Sequence, residues 1–383
     1  MTDATPAGAE LGFYVHVPFC RKRCYYCSFN TAPLEDRASV ERYVRSVVAE
    51  IGLVAAAPLN RRRPVIATVF LGGGTPSLLE PEELAAILDA IRDGFVLAPD
   101  VEITVEGNPE SASRENLAAY RAAGVNRVSL GVQSLDDSIL PVLGRLHDAR
   151  GARGAFVAAR EAGFANVSVD LMYGLPGLDV AGWLRGVAGV LDWQPDHVSA
   201  YGLTLDAGSL WGATGAPPLP AEETTVEQYR GLCDTAAARG YEHYEISNWA
   251  RSGFRSRHNQ IYWRRAEYVA VGPGGCGFVG DVRYGNTKPL ARYGALVDEG
   301  RLPIDTFERL TDRHVLGERL ILGLRTADGV PADLLTERAA ADGAVARVLE
   351  NWRERGLLMA EDGRAWLSEE GFLLSDALFV ELL

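Results

Sequence analysis

The chain has 383 residues, of which 47% are hydrophobic and 23% are charged, and its formal net charge at pH 7 is −13. This composition predicts a globular protein with more than one folding unit, and the acidic balance argues against nucleic acid as a partner. Residues 1–10 lack the basic-then-apolar order of a signal peptide, and no apolar run approaches the ~20 residues of a membrane helix, so we expect a cytoplasmic protein.

Short apolar runs alternate with amphipathic segments over the first half of the chain. The apolar runs predict strands over 12–17, 65–71, 101–105, 127–132, 167–172 and 197–203. The amphipathic segments predict helices over 39–54, 81–91, 113–123, 136–143, 151–162 and 180–192. Strands that alternate with helices form parallel sheets, and six of them predict an α/β fold with a six-stranded partial (β/α) barrel. Functional groups of such barrels collect at the carboxyl ends of the strands.

The second half of the chain is less regular. We expect a loop over 206–225, a helix over 222–239 and a strand over 241–246. Near the C-terminus, a helix followed by two short strands predicts a winged-helix-like module in an α+β region. Its last helix is acidic, which favours a structural or docking role over DNA binding. The predicted domains are 1–205, 206–305 and 306–383.

Three cysteines directly follow the first strand in the spacing C-x3-C-x2-C, and they are Cys20, Cys24 and Cys27. Thiolates are soft ligands that bind zinc or iron–sulfur clusters. Structural zinc sites take four ligands, commonly as two pairs, whereas the remaining Cys233 and Cys276 stand far apart. The motif therefore predicts a [4Fe–4S] cluster that leaves one iron without a cysteine. Such an open iron can hold the amino and carboxylate groups of S-adenosylmethionine (SAM).

Glycines and polar residues follow the later strands. The segment Gly72–Thr75 comes directly after the second strand, where glycines let the backbone approach a ligand closely. A carboxylate at the end of a strand suits ribose hydroxyls, and an arginine suits a ligand carboxylate. Taken alone, each of these side chains is explained equally well as a helix cap or as a solvent-exposed surface group. Their common position at strand ends favours a SAM site that includes Glu106, Gln133, Arg145 and Asp170.

Four segments of the sequence carry a family resemblance. They are Tyr-x-His-x-Pro-Phe-Cys-x3-Cys-x-Tyr-Cys from Tyr14, Gly-Gly-Gly-Thr-Pro-Ser-Leu-Leu from Gly72, Gly-Val-Asn-Arg-Val-Ser-Leu-Gly-Val-Gln-Ser ending at Ser134, and Asp-Leu-Met-Tyr-Gly-Leu-Pro-Gly from Asp170. Together they resemble the oxygen-independent coproporphyrinogen III oxidase (HemN-like) superfamily of radical SAM proteins, from about residue 11 to the C-terminus. Within that superfamily, the chain is most similar to the HemW haem-chaperone branch.

The resemblance implies three ligand sites. SAM on the cluster would be lined by Tyr14, Gly73, Gly74, Thr75 and Glu106. A second SAM-sized site would be lined by Tyr26, Gln133, Arg145, Asp170 and Thr204. The segment from His258 to Trp263 resembles the H-N-x-x-Y-W signature associated with haem binding. His258 is therefore either a haem ligand or a packed, hydrogen-bonded side chain.

Several positions depart from the family patterns. The oxidase branch carries a further cysteine where this chain has Phe29, and a long extension where only about ten residues precede the first strand here. Both differences argue against decarboxylation of coproporphyrinogen. Ser28 stands where the chaperone branch usually has aspartate, and Cys276 replaces a family histidine. Either Cys276 takes over as a soft iron ligand, or the role of that histidine is lost.

The resemblance implies a haem-binding trafficking protein that passes haem to haem-accepting proteins, some of them at the membrane. It also implies an electron donor such as flavodoxin or ferredoxin, and it allows a homodimer. The first alternative is a radical SAM methyltransferase that uses two SAM molecules, and the second is the oxidase itself. Whether SAM is cleaved, and hence whether the protein is an enzyme, stays open on the sequence.

Overall fold

The computed structural model describes residues 10–57 and 64–382. The strands are β1 (Glu10–Val17), β2 (Phe19–Cys20), β3 (Ala32–Pro33), β4 (Val65–Gly73), β5 (Val96–Gly107), β6 (Arg127–Gln133), β7 (Asn166–Tyr173), β8 (His197–Gly202), β9 (Glu242–Glu245), β10 (Asn248–Ala250), β11 (Tyr268–Val271), β12 (Cys276–Val279), β13 (Val282–Asn286), β14 (Ile304–Arg309), β15 (Val330–Pro331), β16 (Leu358–Glu361) and β17 (Arg364–Leu367). The helices are α1 (Arg37–Ala56), α2 (Pro81–Gly94), α3 (Arg114–Ala122), α4 (Leu140–Leu143), α5 (Ala149–Glu161), α6 (Val180–Leu191), α7 (Leu210–Thr214), α8 (Glu222–Ala237), α9 (Arg257–Trp263), α10 (Leu290–Asp298), α11 (Asp312–Leu324), α12 (Ala332–Ala341), α13 (Gly343–Glu354), α14 (Glu369–Leu373) and α15 (Ser375–Val380). Within the described residues, every helix is too short or too polar to cross a membrane.

The six predicted strands form the parallel part of one large sheet, in the order β1-β4-β5-β6-β7-β8. Their pairing is parallel throughout, for example between Tyr14 and Phe70 and between Val105 and Val128. The six-stranded partial barrel is therefore confirmed. The sheet also continues beyond it. On one side, β11 pairs with β1 and is followed by the antiparallel strands β12, β13 and β14, and on the other side β10 and β9 extend the edge.

The two faces of the barrel strands differ in polarity, because successive side chains of a strand point to opposite faces. On β7, Val167 and Leu171 are buried in the apolar layer beneath the helices. Ser168 and Asp170 alternate with them and face the barrel interior, where the Ser129 hydroxyl of the neighbouring strand donates to Asp170 at 3.0 Å. The barrel interior therefore holds polar side chains up to the carboxyl ends of the strands.

One helix is shorter than the sequence pattern predicts. The pattern indicates a helix over 136–143, whereas α4 covers only the last four of these residues. The Asp136 carboxylate accepts hydrogen bonds from the backbone N–H of Ser138 at 2.8 Å and from its hydroxyl at 2.6 Å. This local turn competes with helical hydrogen bonding, so the helix begins only at Leu140.

The C-terminal part of the chain has a hydrophobic core of its own. Helices α11 to α15 pack around β15, β17 and β16, with Trp352 fully buried among them. The β16–β17 hairpin turns at Asp362 and Gly363, which both have the positive φ that a tight hairpin turn requires. This arrangement agrees with the predicted winged-helix-like module. Strands β9 to β14 belong to the barrel sheet instead, so the boundary expected at residue 205 lies within one continuous sheet and core.

Candidate functional site

A cavity of about 380 Å³ opens at the carboxyl ends of the barrel strands. Twelve of the fourteen residues predicted for the site line it: Cys20, Cys24, Tyr26, Cys27, Gly73, Gly74, Thr75, Glu106, Gln133, Arg145, Asp170 and Thr204. Parallel strands bring their carboxyl ends to one rim, and this is why residues from six different strand ends and loops meet there.

The loop that carries the three cysteines is closed at its base. Strand β2 pairs in parallel with β3, and the N–H of Ala32 donates to the carbonyl of Pro18 at 2.7 Å. All three thiols are free and line the cavity. Burial raises the pKa of the Cys20 thiol to about 11, and it raises the pKa of Cys27 as well. Metal binding would therefore have to displace the thiol protons.

Two of the thiols contact a hydrogen-bonded chain of three residues, here called the Asn108 bridge, which consists of Thr75, Asn108 and Arg145. The Thr75 hydroxyl donates to Cys20 Sγ at 3.5 Å, and Asn108 Nδ2 donates to that hydroxyl at 3.2 Å. On its other side, Asn108 Oδ1 accepts from Arg145 Nη2 at 2.8 Å, and Arg145 Nη1 donates to Cys24 Sγ at 3.5 Å. The bridge thus directs one hydrogen bond to each of two sulfurs. Such donors stabilise thiolate ligands of an iron–sulfur cluster.

Positive charge surrounds the cysteines, although the chain as a whole is acidic. Burial acts to lower the pKa of the Arg145 guanidinium, but the neighbouring Tyr26 and Cys24 outweigh it and raise that pKa. Lys22 and Arg23 add two cations at the rim of the cavity. Fixed cations offset the negative charge of three thiolates. The donor set and its surroundings therefore fit a [4Fe–4S] cluster.

The glycine run after β4 approaches the cysteine loop so closely that a side chain would not fit. Gly73 has a φ of 108°, and a Cβ there would lie 2.6 Å from the His16 ring. A Cβ on Gly74 would lie 2.6 Å from the carbonyl oxygen of Phe19. The N–H of Gly73 donates to Glu106 Oε2 at 3.1 Å and ties the run to the next strand. The run therefore presents bare backbone beside the thiols.

Two carboxylates form another part of the cavity wall. Burial, together with the nearby charge of Asp170, raises the pKa of Glu106 to about 8. Burial also raises the pKa of Asp170, despite the hydrogen bond from Ser129 and the charge of Arg127. A ligand that brings an ammonium group or hydroxyl donors would stabilise both carboxylates in their charged form. SAM carries both kinds of donor.

Tyr14 and His258 do not line the cavity and lie deeper in the barrel. The Tyr14 hydroxyl contacts His16 Nδ1 at 3.1 Å, and its ring stacks on that of His258. His258 uses both ring nitrogens: Nδ1 contacts the Thr68 hydroxyl at 2.7 Å, and Nε2 contacts the Tyr262 hydroxyl at 2.8 Å. Burial lowers the pKa of His258 to about 3. In this conformation His258 is the packed, hydrogen-bonded side chain of the two alternatives, with neither nitrogen available to haem iron.

The position of helix α9 explains why His258 lies away from the cavity. The backbone N–H groups of Arg257 and His258 donate to the Glu102 carboxylate on β5, at 3.2 Å and 3.0 Å. A Cβ on Gly12, near the start of β1, would lie 3.5 Å from the His258 ring. The helix therefore packs against the amino-terminal halves of the barrel strands, at the end opposite to the cysteines.

Sequence reasoning missed several residues of the cavity wall, among them Asn108, Ser129, Met172 and Tyr201. Strand periodicity in the sequence could have identified two of these residues. The period-two alternation of a strand places Ser129 on the same face as Gln133, and Met172 on the same face as Asp170. Asn108 directly follows the last residue of β5, and only its contacts reveal that it connects Thr75 with Arg145.

Comparisons with known proteins agree with this geometry. The Radical SAM superfamily model matches residues 14–183, and the HemN C-terminal domain model matches residues 310–374. The heme chaperone HemW of Mycobacterium tuberculosis is 38% identical over 98% of this chain and 95% of its own length. This chain belongs to the HemW family of radical SAM proteins. The HemW of Bacillus subtilis is 33% identical over 96% of this chain and 97% of its own length.

Relatives of the HemW family extend to other organisms and to a solved structure. Radical S-adenosyl methionine domain-containing protein 1, mitochondrial, of Bos taurus is 37% identical over 99% of this chain and 88% of its own length. Coproporphyrinogen III oxidase (HemN) from Escherichia coli has the same fold, with a TM-score of 0.86 at 21% identity over 98% of this chain and 90% of that chain. Membership of the radical SAM superfamily implies a [4Fe–4S] cluster and SAM as cofactors.

Proposed function

We propose that this chain binds haem and passes it to haem-requiring proteins. The main support for this proposal is the similarity to proteins named heme chaperone HemW, which extends over 98% of the chain. The recipients we expect include haem proteins at the membrane, and the expected electron donor is a flavodoxin or ferredoxin. Arg21, Lys22 and Arg23 are exposed beside the cysteines, and they suit a donor with an acidic surface.

In this proposal the three cysteines hold a [4Fe–4S] cluster with one iron open to SAM. When bound, the cluster supplies an electron to the sulfonium of SAM. The hydrogen bonds from Thr75 and Arg145 offset the charge of the thiolates that accept them. Asn108 keeps both donors in position, because it is the partner that they share.

SAM would be held by the glycine run and the two carboxylates. Gly73 and Gly74 leave the backbone open to close approach. Glu106 and Asp170 would accept hydrogen bonds from the ammonium group and the ribose hydroxyls. This pairing would offset the cost of burying the two acids, which is what raises their pKa values.

A second candidate is a radical SAM methyltransferase that uses two SAM molecules. One observation favours it: the cavity continues past the cysteines to the residues that the resemblance assigns to a second SAM, namely Tyr26, Gln133, Arg145, Asp170 and Thr204. In this candidate Asp170 would contact the second SAM, and Glu106 alone would contact the first. Phe29 counts against the oxidase, the third candidate. Its side chain is 62% exposed at the cavity rim, where the oxidase branch carries a cysteine.

Anaerobic reconstitution followed by two assays separates these candidates. Haem titration is followed at the Soret band, and 5′-deoxyadenosine is quantified after a reductant is added. Stoichiometric haem binding with little 5′-deoxyadenosine supports the chaperone. Reductant-dependent 5′-deoxyadenosine without haem binding contradicts the chaperone and favours a radical enzyme.

A further inference from the structure

A second cleft, of about 260 Å³, lies at the amino end of the barrel between α9, α11 and the C-terminal module. The charged residues that line it are Arg255, Arg264, Arg265, Arg319, Arg364 and Asp328. We call this feature the arginine cleft. Aromatic and apolar side chains complete its wall, among them Tyr244, Trp263, Val330 and Leu334.

The arginine cleft is basic, although the chain carries a net charge of −13. Arg255 pairs with Glu242 and Asp328, and Arg265 pairs with Glu318. The arginines of the cleft without a carboxylate partner among residues 10–57 and 64–382 are Arg264, Arg319 and Arg364. Guanidinium groups that converge on one cleft without carboxylate partners favour an anionic ligand.

Trp263 contributes a flat aromatic surface to the same cleft. The Arg325 guanidinium lies 4.4 Å from its ring centroid and holds the ring in place. The indole N–H of Trp263 and Nη2 of Arg265 are buried without an acceptor in the described part of the chain. Arg265 has a φ of 52° because it ends α9 in a left-handed turn, in which its N–H donates to the carbonyl of Tyr262 at 3.0 Å and the N–H of Ala266 donates to that of Ile261 at 2.9 Å. Two residues of the cleft wall therefore carry buried donors without an acceptor in the described part of the chain, as expected where a ligand supplies the acceptor.

Helix α9 presents different residues to its two sides. His258 and Tyr262 bond to each other on the barrel side of the helix, whereas Gln260, Trp263 and Arg264 line the arginine cleft. The segment that resembles the haem signature therefore brings its tryptophan, and not its histidine, to an accessible surface.

We propose that the arginine cleft binds two carboxylates of one ligand, and that these are the propionates of haem. The inference rests on the proposed haem binding and gives that function a place in the fold. Guanidinium groups bind carboxylates through paired hydrogen bonds, and a flat macrocycle suits the Trp263 ring. The cleft, at about 260 Å³, is smaller than the ~300–1,000 Å³ of pockets that enclose a drug-sized ligand. It therefore holds the propionate edge and leaves the rest of the macrocycle accessible for transfer.

The test compares haem with haem dimethyl ester, in which both propionates are neutral and the macrocycle is unchanged. Reconstituted wild type and the double variant R264Q/R319Q are titrated with each ligand at one ionic strength. Both arginines are exposed and have no ion-pair partner within the described residues, so the variant is expected to fold, which thermal unfolding checks. R292Q/R301Q is the matched control, because it removes two exposed arginines outside the cleft.

We expect R264Q/R319Q to weaken haem binding by about tenfold or more, since it removes charge-assisted hydrogen bonds to the propionates. The variant should bind the dimethyl ester as wild type does, and the control should bind haem as wild type does. Equal haem affinity of all three proteins, or an equal loss with haem and with the ester, overturns the cleft assignment and leaves haem binding intact. Absence of haem binding by wild type overturns the proposed function, and the cleft assignment with it.

Discussion

The two ends of the barrel carry their polar groups in different ways. At the carboxyl end, the cavity residues come from strand ends and the loops that follow them, and hydrogen bonds such as those of the Asn108 bridge connect them. At the amino end, the arginine cleft is built from separate helices and a hairpin, and several of its cations lack carboxylate partners among the described residues. Polar groups that are already hydrogen-bonded around the thiols are typical of a site for a permanently bound cofactor. Arginines without carboxylate partners are typical of a site for a ligand that binds and dissociates. Under the proposed function, the molecule would therefore separate a cofactor end from a cargo end.

The largest expected effect tests that separation directly. Cys24→Ser removes one of the three thiolates, and we expect the cluster to be lost because two cysteines do not hold it. Haem binding at the arginine cleft should persist, since the cleft lies at the other end of the barrel. Iron and sulfide analysis and a haem titration of the same preparation measure both outcomes.

Cys276→Ser is the control for this experiment, because that thiol is exposed and lies outside the cavity. We expect it to retain the iron content of wild type. Loss of haem binding together with the cluster in Cys24→Ser would contradict the separation of the two ends and place haem near the cysteines.

The second-largest expected effect concerns His258, which lies in the barrel interior between the two ends. His258→Gln disturbs the hydrogen bonds to Thr68 and Tyr262 in the barrel interior, so we expect the free energy of unfolding to fall by about 2–4 kcal/mol at pH 7.5. A direct haem ligand would instead lose haem affinity with little change in stability. Denaturant unfolding and a haem titration of the same variant distinguish these outcomes.

The pH dependence of stability sharpens this test. Burial lowers the pKa of His258 to about 3, so the folded state keeps it neutral while the unfolded chain takes up a proton below pH ~6.5. Its contribution to stability is therefore complete above that pH and falls as the pH is lowered, by up to ~1.4 kcal/mol per pH unit. Wild type should lose more stability than His258→Gln between pH 7.5 and 5.5. The exposed His314→Gln should behave as wild type, and equal pH dependence in all three proteins would refute a buried neutral His258.

The carboxyl end could be predicted from the sequence for a physical reason. The spacing of Cys20 to Cys27 and the run Gly72–Thr75 are contiguous, and their geometry depends on a few neighbouring residues. Apolar runs predicted the strands and amphipathic segments predicted the helices between them, and the ends of parallel strands meet at one rim whatever the details of packing. The common location of Glu106 and Asp170 followed from that topology alone.

The amino end could not be predicted, because only tertiary packing creates it. Exposed arginines such as Arg264 and Arg319 resemble solvated surface groups in a sequence. The burial of His258 depends on its backbone N–H bonding to Glu102, 156 positions away in the chain. The local motif does not contain this contact, and for this reason the sequence left open whether His258 is a haem ligand or the packed side chain that the structure has.

A smaller effect is expected at the Asn108 bridge. Asn108→Ala removes the partner that Thr75 and Arg145 share, which should weaken their hydrogen bonds to the two sulfurs. Because those bonds stabilise the reduced cluster, we expect a more negative midpoint potential, by roughly 40 mV for each ~1 kcal/mol lost in a one-electron couple. An anaerobic redox titration followed by electron paramagnetic resonance measures it. Asn116→Ala on α3, outside the cavity, should leave the potential unchanged, and the same potential in both variants would contradict a role for the bridge.

The smallest expected effect concerns Cys276, which stands where the family resemblance implies a histidine. Its thiol is exposed on β12, with the carbonyl of Gly274 as a weak partner at 3.8 Å, and it lines neither the cavity nor the arginine cleft. We therefore expect Cys276→Ala to change haem affinity by less than about twofold, as is usual for an exposed residue without specific contacts. The haem spectrum is the more telling measurement, because loss of a thiolate ligand would shift the Soret band. Such a shift would show that Cys276 binds the iron, and haem would then lie against β12 instead of the arginine cleft.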